Sequence, residues 1–308
     1  MFIFFGTSRF AAIILAELLQ LKFPIGMLVT QPDAPVGKKK ILTSSPAKVV
    51  ALSFNIPVYE PVTFKSLKAE EILKSKNPEL FIVASYGKIL PESILKIPSK
   101  GCLNVHPSRL PQYRGSSPLQ WAILNGDKDT AVSIIKMDAK MDHGPIVAQE
   151  NLEISPRETF LTLEEKAAHA SAILLAKTIP GYLDGTIQPR EQAHAQATFS
   201  KILSREDGHL DTQRSAHELD CQVRAFTPWP GSFIEITKSG KKIRVKILEA
   251  HAIPDTSTHP ARSLYSHSGH LGLQCKIGSL ILNKVHVEGK KEQTGKEFMN
   301  GYWDVLAT

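Results

Sequence analysis

The beginning of the chain alternates continuous apolar runs with amphipathic stretches of helical spacing. Phe2–Phe5 is entirely apolar, and the positions that follow are apolar at 11, 14, 15, 18, 19 and 21. A run without polar positions is typical of a strand buried on both faces, whereas the second spacing is typical of one face of a helix. Ser8 stands where its hydroxyl can cap that helix. Further strands are predicted at Ile25–Thr30, Leu80–Ser85, Gly101–Val105 and Ala131–Met137.

Helical segments are predicted near Leu67–Lys76 and Thr162–Leu183, between and after these strands. Strands that alternate with helices form βαβ units. We therefore predict an α/β fold with a Rossmann-like, mostly parallel sheet in the N-terminal part of the chain. The parallel crossovers of such a sheet are expected to be right-handed.

The pattern changes beyond Gly185. Gln188–Ser200 is polar and aperiodic, which is typical of a linker. A helical segment at Ser215–Arg224 then precedes short strand-like runs at Phe233–Thr237, Ile243–Ala250, Leu271–Cys275 and Ser279–Val287. Short strands punctuated by Gly, Pro, Ser and Asp indicate a C-terminal β-barrel of the oligonucleotide-binding (OB-like) type. We predict a first domain over residues 1–185, a linker over 186–204 and the β-barrel domain over 205–308.

Composition places the chain among ordinary globular proteins and adds a basic character. It has 308 residues, of which 42% are hydrophobic and 22% charged, and its formal net charge is +7. The positive charge favours a polyanionic partner such as nucleic acid. The three cysteines form no CxxC pair, so we expect reduced thiols in a cytoplasmic protein. No apolar stretch reaches the roughly 18 residues of a membrane span, and we expect no membrane association.

Candidate chemistry lies at the end of the predicted strand Gly101–Val105. Asn104 and His106 are two residues apart, so their side chains share one face at the carboxyl end of that strand. Ligands of open α/β sheets bind at this edge. Asp142 follows in the sequence Met-Asp-His-Gly. An amide, an imidazole and a carboxylate in this order suggest acyl-group chemistry.

Other nucleotide and metal chemistries lack their motifs. The turn Gly6-Thr7-Ser8 after the first strand carries neither GxGxxG nor GxxxxGK[ST], which argues against a dinucleotide or P-loop site. The eleven histidines include no HxxxH or HExxH spacing, so no metal site is predicted.

Several motifs resemble those of the folate-dependent formyltransferases, the enzymes that use 10-formyltetrahydrofolate. The similarity is carried by Asn104-Val105-His106, by the following Ser108–Pro118, and by Met137-Asp138 with Met141–Ile146. It extends to Gly6–Ala11, Gln31-Pro32-Asp33, Tyr86–Pro91, Lys201–Asp211 and Arg224–Gly231, and therefore covers nearly the whole chain. The two C-terminal motifs resemble the members of the family that act on methionyl initiator tRNA.

The resemblance implies that the first domain is catalytic and transfers a formyl group from 10-formyltetrahydrofolate to the free amino group of methionyl initiator tRNA. Asn104 would donate a hydrogen bond to the developing oxyanion. Asp142 would hold His106 in one tautomer and favour its charged form, while His106 acts as a base or as an oxyanion stabiliser. The folate would be bound by Tyr86, Gly87, Ile89, Leu90, Pro91, Ser108, Arg109, Leu110 and Pro111.

The same resemblance assigns tRNA contacts to a basic loop, and the basic residues of the OB-like β-barrel domain suggest a second RNA-binding surface there. Lys38, Lys39 and Lys40 would enter the acceptor stem, and Arg224 would contact RNA. The family loop often carries an additional Arg-Gly, so the present loop is shorter and has Lys where Arg is common. Because Lys and Arg differ in base-edge recognition, discrimination of the initiator tRNA is an open point. A monomer is expected.

Two other interpretations remain open at this stage. One is the same formyl transfer to a small amine, such as an amino sugar nucleotide or glycinamide ribonucleotide. The other is a non-catalytic protein that binds tRNA or folate without turnover. The C-terminal motifs and the positive charge argue against the first, and the set of Asn104, His106 and Asp142 argues against the second.

Overall fold

The computed structural model describes residues 1–37, 39–64, 66–254 and 259–306. The chain forms two compact units that interleave along the sequence. The first comprises Met1–Pro118, Asp129–Glu153 and Leu163–Ser200, and the second comprises Leu119–Lys128, Ile154–Thr162 and Lys201–Thr308. The domain limits proposed from the sequence, 1–185, 186–204 and 205–308, stay a prediction.

Strands and helices alternate through the first two thirds of the chain. The strands are β1 (Phe2–Gly6), β2 (Ile25–Val29), β3 (Ala34–Val36), β4 (Ile41–Thr43), β5 (Val58–Tyr59), β6 (Leu80–Ala84), β7 (Cys102–His106), β8 (Arg114–Gly115), β9 (Asp129–Lys136), β10 (Ile146–Glu153) and β11 (Phe199–Ser200). The helices are α1 (Arg9–Gln20), α2 (Pro46–Ser53), α3 (Leu67–Lys74), α4 (Glu92–Leu95), α5 (Pro118–Leu124) and α6 (Phe160–Asp184).

In the described part of the first unit, seven strands form one sheet in the order β10-β9-β7-β6-β1-β2-β5. The strands from β7 to β5 pair in parallel, which confirms the predicted Rossmann-like α/β fold. The strands β9 and β10 extend the sheet in antiparallel pairing. His106 at the end of β7 pairs with Ser133 in β9, so the chain re-enters the sheet at the carboxyl end of β7 and runs in the opposite direction.

The first strand and helix form for the reasons that the sequence pattern indicates. Ile3, Phe4 and Phe5 are completely buried, as expected for a strand covered on both faces. The hydroxyl of Ser8 accepts a hydrogen bond from the main-chain nitrogen of Ala11 and caps α1. Apolar side chains of α1 lie on its buried face: Phe10, Ala11, Ile14, Leu15 and Leu18.

The second unit contains the C-terminal antiparallel sheet. Its elements are α7 (Ala216–Phe226), β12 (Ser232–Lys238), β13 (Lys241–Ile253), β14 (Leu264–His267), β15 (His270–Gln274), β16 (Ser279–Val287), β17 (Glu292–Thr294) and α8 (Gly295–Gly301). The strands follow the order β12-β13-β16-β15-β14, with β17 beside β16. Bulges near Glu249 bend the long strand β13, and the sheet curls as a half-barrel, in agreement with the predicted OB-like β-barrel domain.

A capping box begins α7: Ser215 and Glu218 satisfy each other's main-chain nitrogens. Leu219 and Val223 of this helix pack on Val245 and Val285 of the curled sheet. The second unit therefore has its own apolar core. Among the described residues, no helix is long and apolar enough to span a membrane.

Candidate active site

Three side chains meet at the carboxyl end of β7. Asn104 and His106 project from the same face of this strand, as their spacing predicts. The turn after β9 brings Asp142 to them. The amide nitrogen of Asn104 lies 3.4 Å from Oδ1 of Asp142, and Nδ1 of His106 lies 3.6 Å from the same oxygen. The structure thus assembles the three residues that the sequence singled out for catalysis.

The imidazole of His106 is buried between two oxygen atoms. Its Nε2 lies 2.9 Å from the main-chain oxygen of Tyr113, and its Nδ1 faces Asp142. A carbonyl oxygen only accepts hydrogen bonds, so Nε2 carries a proton in either charge state. In the neutral ring Nδ1 is therefore the basic nitrogen, and the charged ring can donate on both sides. Tyr113, rather than Asp142, selects the tautomer.

The carboxylate of Asp142 is held from the loop that follows β7. Its Oδ2 accepts a 2.8 Å hydrogen bond from the main-chain nitrogen of Gly115. Asp142 itself has a φ of 49°, a left-handed conformation that Asp tolerates better than most residues. Gly115 has a φ of 114°, and a Cβ at this position would lie 2.4 Å from the main-chain oxygen of Ser200. Gly115 lies in β8 and Ser200 in the neighbouring strand β11, and the close approach of β8 to β11 requires glycine at position 115.

A second layer of polar contacts supports this loop from the segment predicted as a linker. The side-chain nitrogen of Gln192 donates to the main-chain oxygens of Asp142 and Gly144 at 2.9 and 2.7 Å. Its side-chain oxygen accepts from Nε and Nη2 of Arg114 at 3.2 and 2.7 Å. Sequence reasoning missed Gln192 because a single polar residue in an aperiodic segment carries no pattern.

Two histidines stack beside this layer. The rings of His143 and His194 are 4.1 Å apart and nearly parallel, and Nδ1 of His143 lies 2.7 Å from Oδ2 of Asp138. Nη2 of Arg114 donates to Nδ1 of His194 at 2.8 Å. Among the residues that the structure describes, no group of three or more His, Cys, Asp or Glu side chains is arranged to hold a metal ion.

The loop after β6 presents main chain and one aliphatic side chain to solvent. Ile89 is 90% exposed, whereas Tyr86 and Leu90 are buried. The ring of Tyr86 packs edge-on against Phe5, and burial raises the pKa of its hydroxyl. Gly87 has a φ of 81°. Of the residues predicted here to bind folate, the side chains of Tyr86 and Leu90 therefore belong to the core, with Pro91 half-buried between Leu90 and α4.

The loop after β7 is braced internally. The hydroxyl of Ser108 donates to the main-chain oxygen of Gln112 at 2.6 Å, and Leu110 packs with other buried side chains. Arg109 donates to Asn151 at 2.6 Å and pairs with Asp129. Pro111 follows a cis peptide bond. The side chains of Ser108 and Leu110 thus shape this loop from within, whereas the partly exposed Arg109 connects it to Asn151 and Asp129.

The predicted tRNA-binding residues lie in two different settings. Lys39 and Lys40 are exposed in the turn between β3 and β4, a hairpin that the sequence did not predict, while Lys38 lies outside the described residues. The hairpin also exposes the aliphatic side chains of Val36, Ile41 and Leu42.

Arg224, in contrast, is buried in the second unit. It forms a 3.0 Å ion pair with Asp220, which also pairs with Arg157, and it donates to the main-chain oxygen of Glu158 at 2.9 Å. Its guanidinium is therefore engaged by protein groups, and the geometry favours a structural role over the predicted RNA contact.

Comparison with known proteins agrees with this fold. Residues 1–179 match the formyl transferase family, and residues 202–303 match the formyl transferase C-terminal domain. The methionyl-tRNA formyltransferase of Myxococcus xanthus is 37% identical over 300 residues, which cover 97% of this chain and 94% of the relative. That of Dictyoglomus turgidum is 40% identical over 301 residues, covering 97% and 96%.

Among solved structures, HypX from Aquifex aeolicus in complex with tetrahydrofolic acid matches 99% of this chain with a TM-score of 0.65 and 14% identity. The chain spans 48% of the length of HypX, and at this identity the likeness concerns the fold. Fold, site and family matches together define a formyl transferase. Within that family, the chain belongs to the methionyl-tRNA formyltransferases.

Proposed function

We propose that the protein transfers the formyl group of 10-formyltetrahydrofolate to the α-amino group of methionyl initiator tRNA. The observation that carries this proposal is the cluster of Asn104, His106 and Asp142 at the carboxyl edge of the sheet. It occurs in a chain that is similar over nearly its full length to methionyl-tRNA formyltransferases.

The side-chain amide of Asn104 is the group best placed to donate a hydrogen bond to the oxyanion that forms during the reaction. The neutral amine of the methionyl ester attacks the formyl carbon, and negative charge develops on the formyl oxygen. Within the described residues, one N–H of the Asn104 amide is directed to Asp142, which leaves the other for this oxygen. A donor in such a position contributes about 2.7–4 kcal/mol to acyl transfer.

His106 and Asp142 provide the proton acceptor. As the new N–C bond forms, the amine must lose one proton, and the folate nitrogen must gain one when its bond to the formyl carbon breaks. Nδ1 of neutral His106 and the carboxylate of Asp142 face the same space, so either can hold the transferred proton. With Nε2 fixed by Tyr113, this proton resides on the Asp142 side of the ring.

The folate is proposed to lie along the loops after β6 and β7. The exposed side chain of Ile89 and the main chain around Gly87 offer an apolar surface with polar groups beside it, which suits a flat, polar-edged pterin. Bound there, the folate supplies the activated formyl group, and the protein supplies position and hydrogen bonds.

The tRNA is proposed to contact the exposed lysines of the β3–β4 hairpin and the basic surface of the curled sheet. The net charge of +7 supports a polyanionic substrate. We further propose a monomer that acts in the cytoplasm, where translation begins in bacteria.

Formyl transfer from 10-formyltetrahydrofolate to methionyl initiator tRNA tests the proposal, with methionyl elongator tRNA as the paired control. We expect turnover on the initiator tRNA and loss of turnover in His106→Ala. Equal turnover on both tRNAs would retain the chemistry and show that the short lysine hairpin does not discriminate. Turnover on an amino sugar nucleotide or glycinamide ribonucleotide, with none on either tRNA, would overturn the proposal.

A further inference from the structure

The buried amide of Gln192 joins the two loops that meet at Asp142. Its nitrogen donates to the main-chain oxygens of Asp142 and Gly144, and its oxygen accepts twice from Arg114. Arg114 precedes Gly115, whose main-chain nitrogen donates to the carboxylate of Asp142. Gln192 therefore connects the loop that carries Gly115, the donor of this hydrogen bond, with the loop that carries Asp142, its acceptor.

All four hydrogen-bonding positions of the Gln192 amide are used. The side chain is 5% exposed, so water cannot replace a lost partner without opening the loop. A glutamine of this kind is chemically specific because it donates to two carbonyls and accepts from a guanidinium at once. A glutamate would keep the attraction to Arg114 but would place a carboxylate against the oxygens of Asp142 and Gly144.

The need for such a tie follows from the main chain of Asp142. Its φ of 49° is a left-handed conformation that must be maintained by surrounding contacts. Gly144 follows closely, and a Cβ there would lie 1.9 Å from the main-chain oxygen of Lys136, so this turn is tightly packed against β9. Gln192 holds the carbonyls at both ends of the turn between Asp142 and Gly144.

We propose that Gln192 is a positioning residue for formyl transfer: it fixes Asp142 beside His106 and Asn104 without contacting the substrates. This inference rests on the proposed function. It gives the segment between α6 and β11 a role in catalysis, although the sequence pattern of that segment is that of a linker.

The test compares Gln192→Glu with Gln188→Glu, the same substitution at an exposed glutamine that donates to one carbonyl in the same segment. We expect Gln192→Glu to lower kcat by about 10²-fold, with little change in KM for either substrate, because a displacement of about 1 Å costs this much. The pH profile of kcat/KM should also move, since the distance between Asp142 and His106 changes. Gln188→Glu should behave as the wild type.

Amide hydrogen exchange at Gly115 provides a readout that does not depend on activity. In Gln192→Glu this amide should exchange faster, because its acceptor on Asp142 is no longer fixed, while the amides of β1 remain protected. Unchanged kcat, pH profile and Gly115 exchange would overturn the inference. A lower melting temperature with an unchanged pH profile and unchanged Gly115 exchange would reduce Gln192 to a stabilising residue and also overturn it.

The two proposals fail in different ways. If the wild type formylates neither tRNA, the proposed function fails, but faster Gly115 exchange in Gln192→Glu would still support the positional role. If the wild type is active and Gln192→Glu is equally active, only the positional role fails.

Discussion

His106 directs Nε2 to the main-chain oxygen of Tyr113 at 2.9 Å, on the side of the ring opposite to Asp142. The chain thereby selects the tautomer through a main-chain atom of the same loop, seven residues further on. Nδ1 is left facing the carboxylate at 3.6 Å, a distance longer than a normal hydrogen bond. The basic nitrogen Nδ1 of His106 and the carboxylate of Asp142 therefore face each other, and a proton can be held on either group.

The substitution His106→Gln distinguishes the role of Nε2 as a hydrogen-bond donor from the role of Nδ1 as a base. The glutamine amide can still donate to Tyr113, but no basic atom remains at the position of Nδ1. We expect kcat to fall by about 10²–10⁴-fold, the usual contribution of a general acid–base group, while the melting temperature stays closer to the wild type than that of His106→Ala. Steady-state kinetics and thermal unfolding measure the two effects. A Gln variant with near wild-type turnover would refute the assignment of Nδ1.

Gly115→Ala tests the close approach of the loop to Ser200. Its Cβ would lie 2.4 Å from a main-chain oxygen, so the loop must move and the hydrogen bond to Asp142 must weaken. We expect a loss of about 1–3 kcal/mol in the free energy of unfolding together with lower kcat.

Gly185→Ala is the matched control for this change. Gly185 also has a positive φ, of 83°, but no atom lies within 4 Å of a Cβ built there. It should cost about 1 kcal/mol and leave kcat unchanged. Equal kcat losses in the two variants would contradict the explanation.

Lys39→Ala and Lys40→Ala test the exposed hairpin as a phosphate-binding element. Each should weaken tRNA binding and lower the slope of log affinity against log salt by about 1, with no change in thermal stability. Lys68→Ala, at an exposed lysine of α3, is the control. Salt titrations of binding measure the slopes, and identical slopes in all three variants would argue against the hairpin.

Arg224→Ala should act on stability instead of tRNA affinity. The variant removes one of the two ion-pair partners of buried Asp220 and the hydrogen bond to Glu158, while Arg157 still compensates the charge, so we expect a loss of about 1–3 kcal/mol. Arg214→Ala, which removes a more exposed pair with Glu218, should cost less than about 1 kcal/mol. Denaturant unfolding measures both. A weaker salt dependence of tRNA binding in the folded Arg224→Ala variant would instead support the predicted contact between Arg224 and RNA.

Because the thiol of Cys102 is buried, we predict that the protein loses stability at alkaline pH. Burial in β7 raises its pKa to about 12, from an ordinary value of 9.0. The folded state therefore keeps the proton after the unfolded chain has lost it, so this stabilisation is complete below pH 9.0 and is lost as the pH rises towards 12. In this range Cys102 should contribute a decrease of about 1 kcal/mol per pH unit. Unfolding of the wild type and of Cys102→Ala at about pH 8 and 10 measures it, and parallel losses would contradict the prediction.

Much of the fold follows from local patterns. The apolar run of β1, the cap at Ser8 and the apolar face of α1 each depend on residues within a few positions. The shared face of Asn104 and His106 follows from the two-residue period of a strand. The candidate chemistry could be recognised for this reason, and the curled C-terminal sheet was signalled by its short punctuated strands.

The amino-acid sequence by itself therefore indicated the main strands and helices, the two kinds of sheet and the three candidate residues of the site. Tertiary structure decided the antiparallel entry of β9, the burial of Tyr86 and Arg224, the choice of tautomer by Tyr113, and the tie formed by Gln192. Gln192 bonds to a residue 50 positions away, and Arg9 pairs with Glu164 at a separation of 155. Such contacts depend on how elements pack, and local periodicity, which sets helices and strands, carries no information about them.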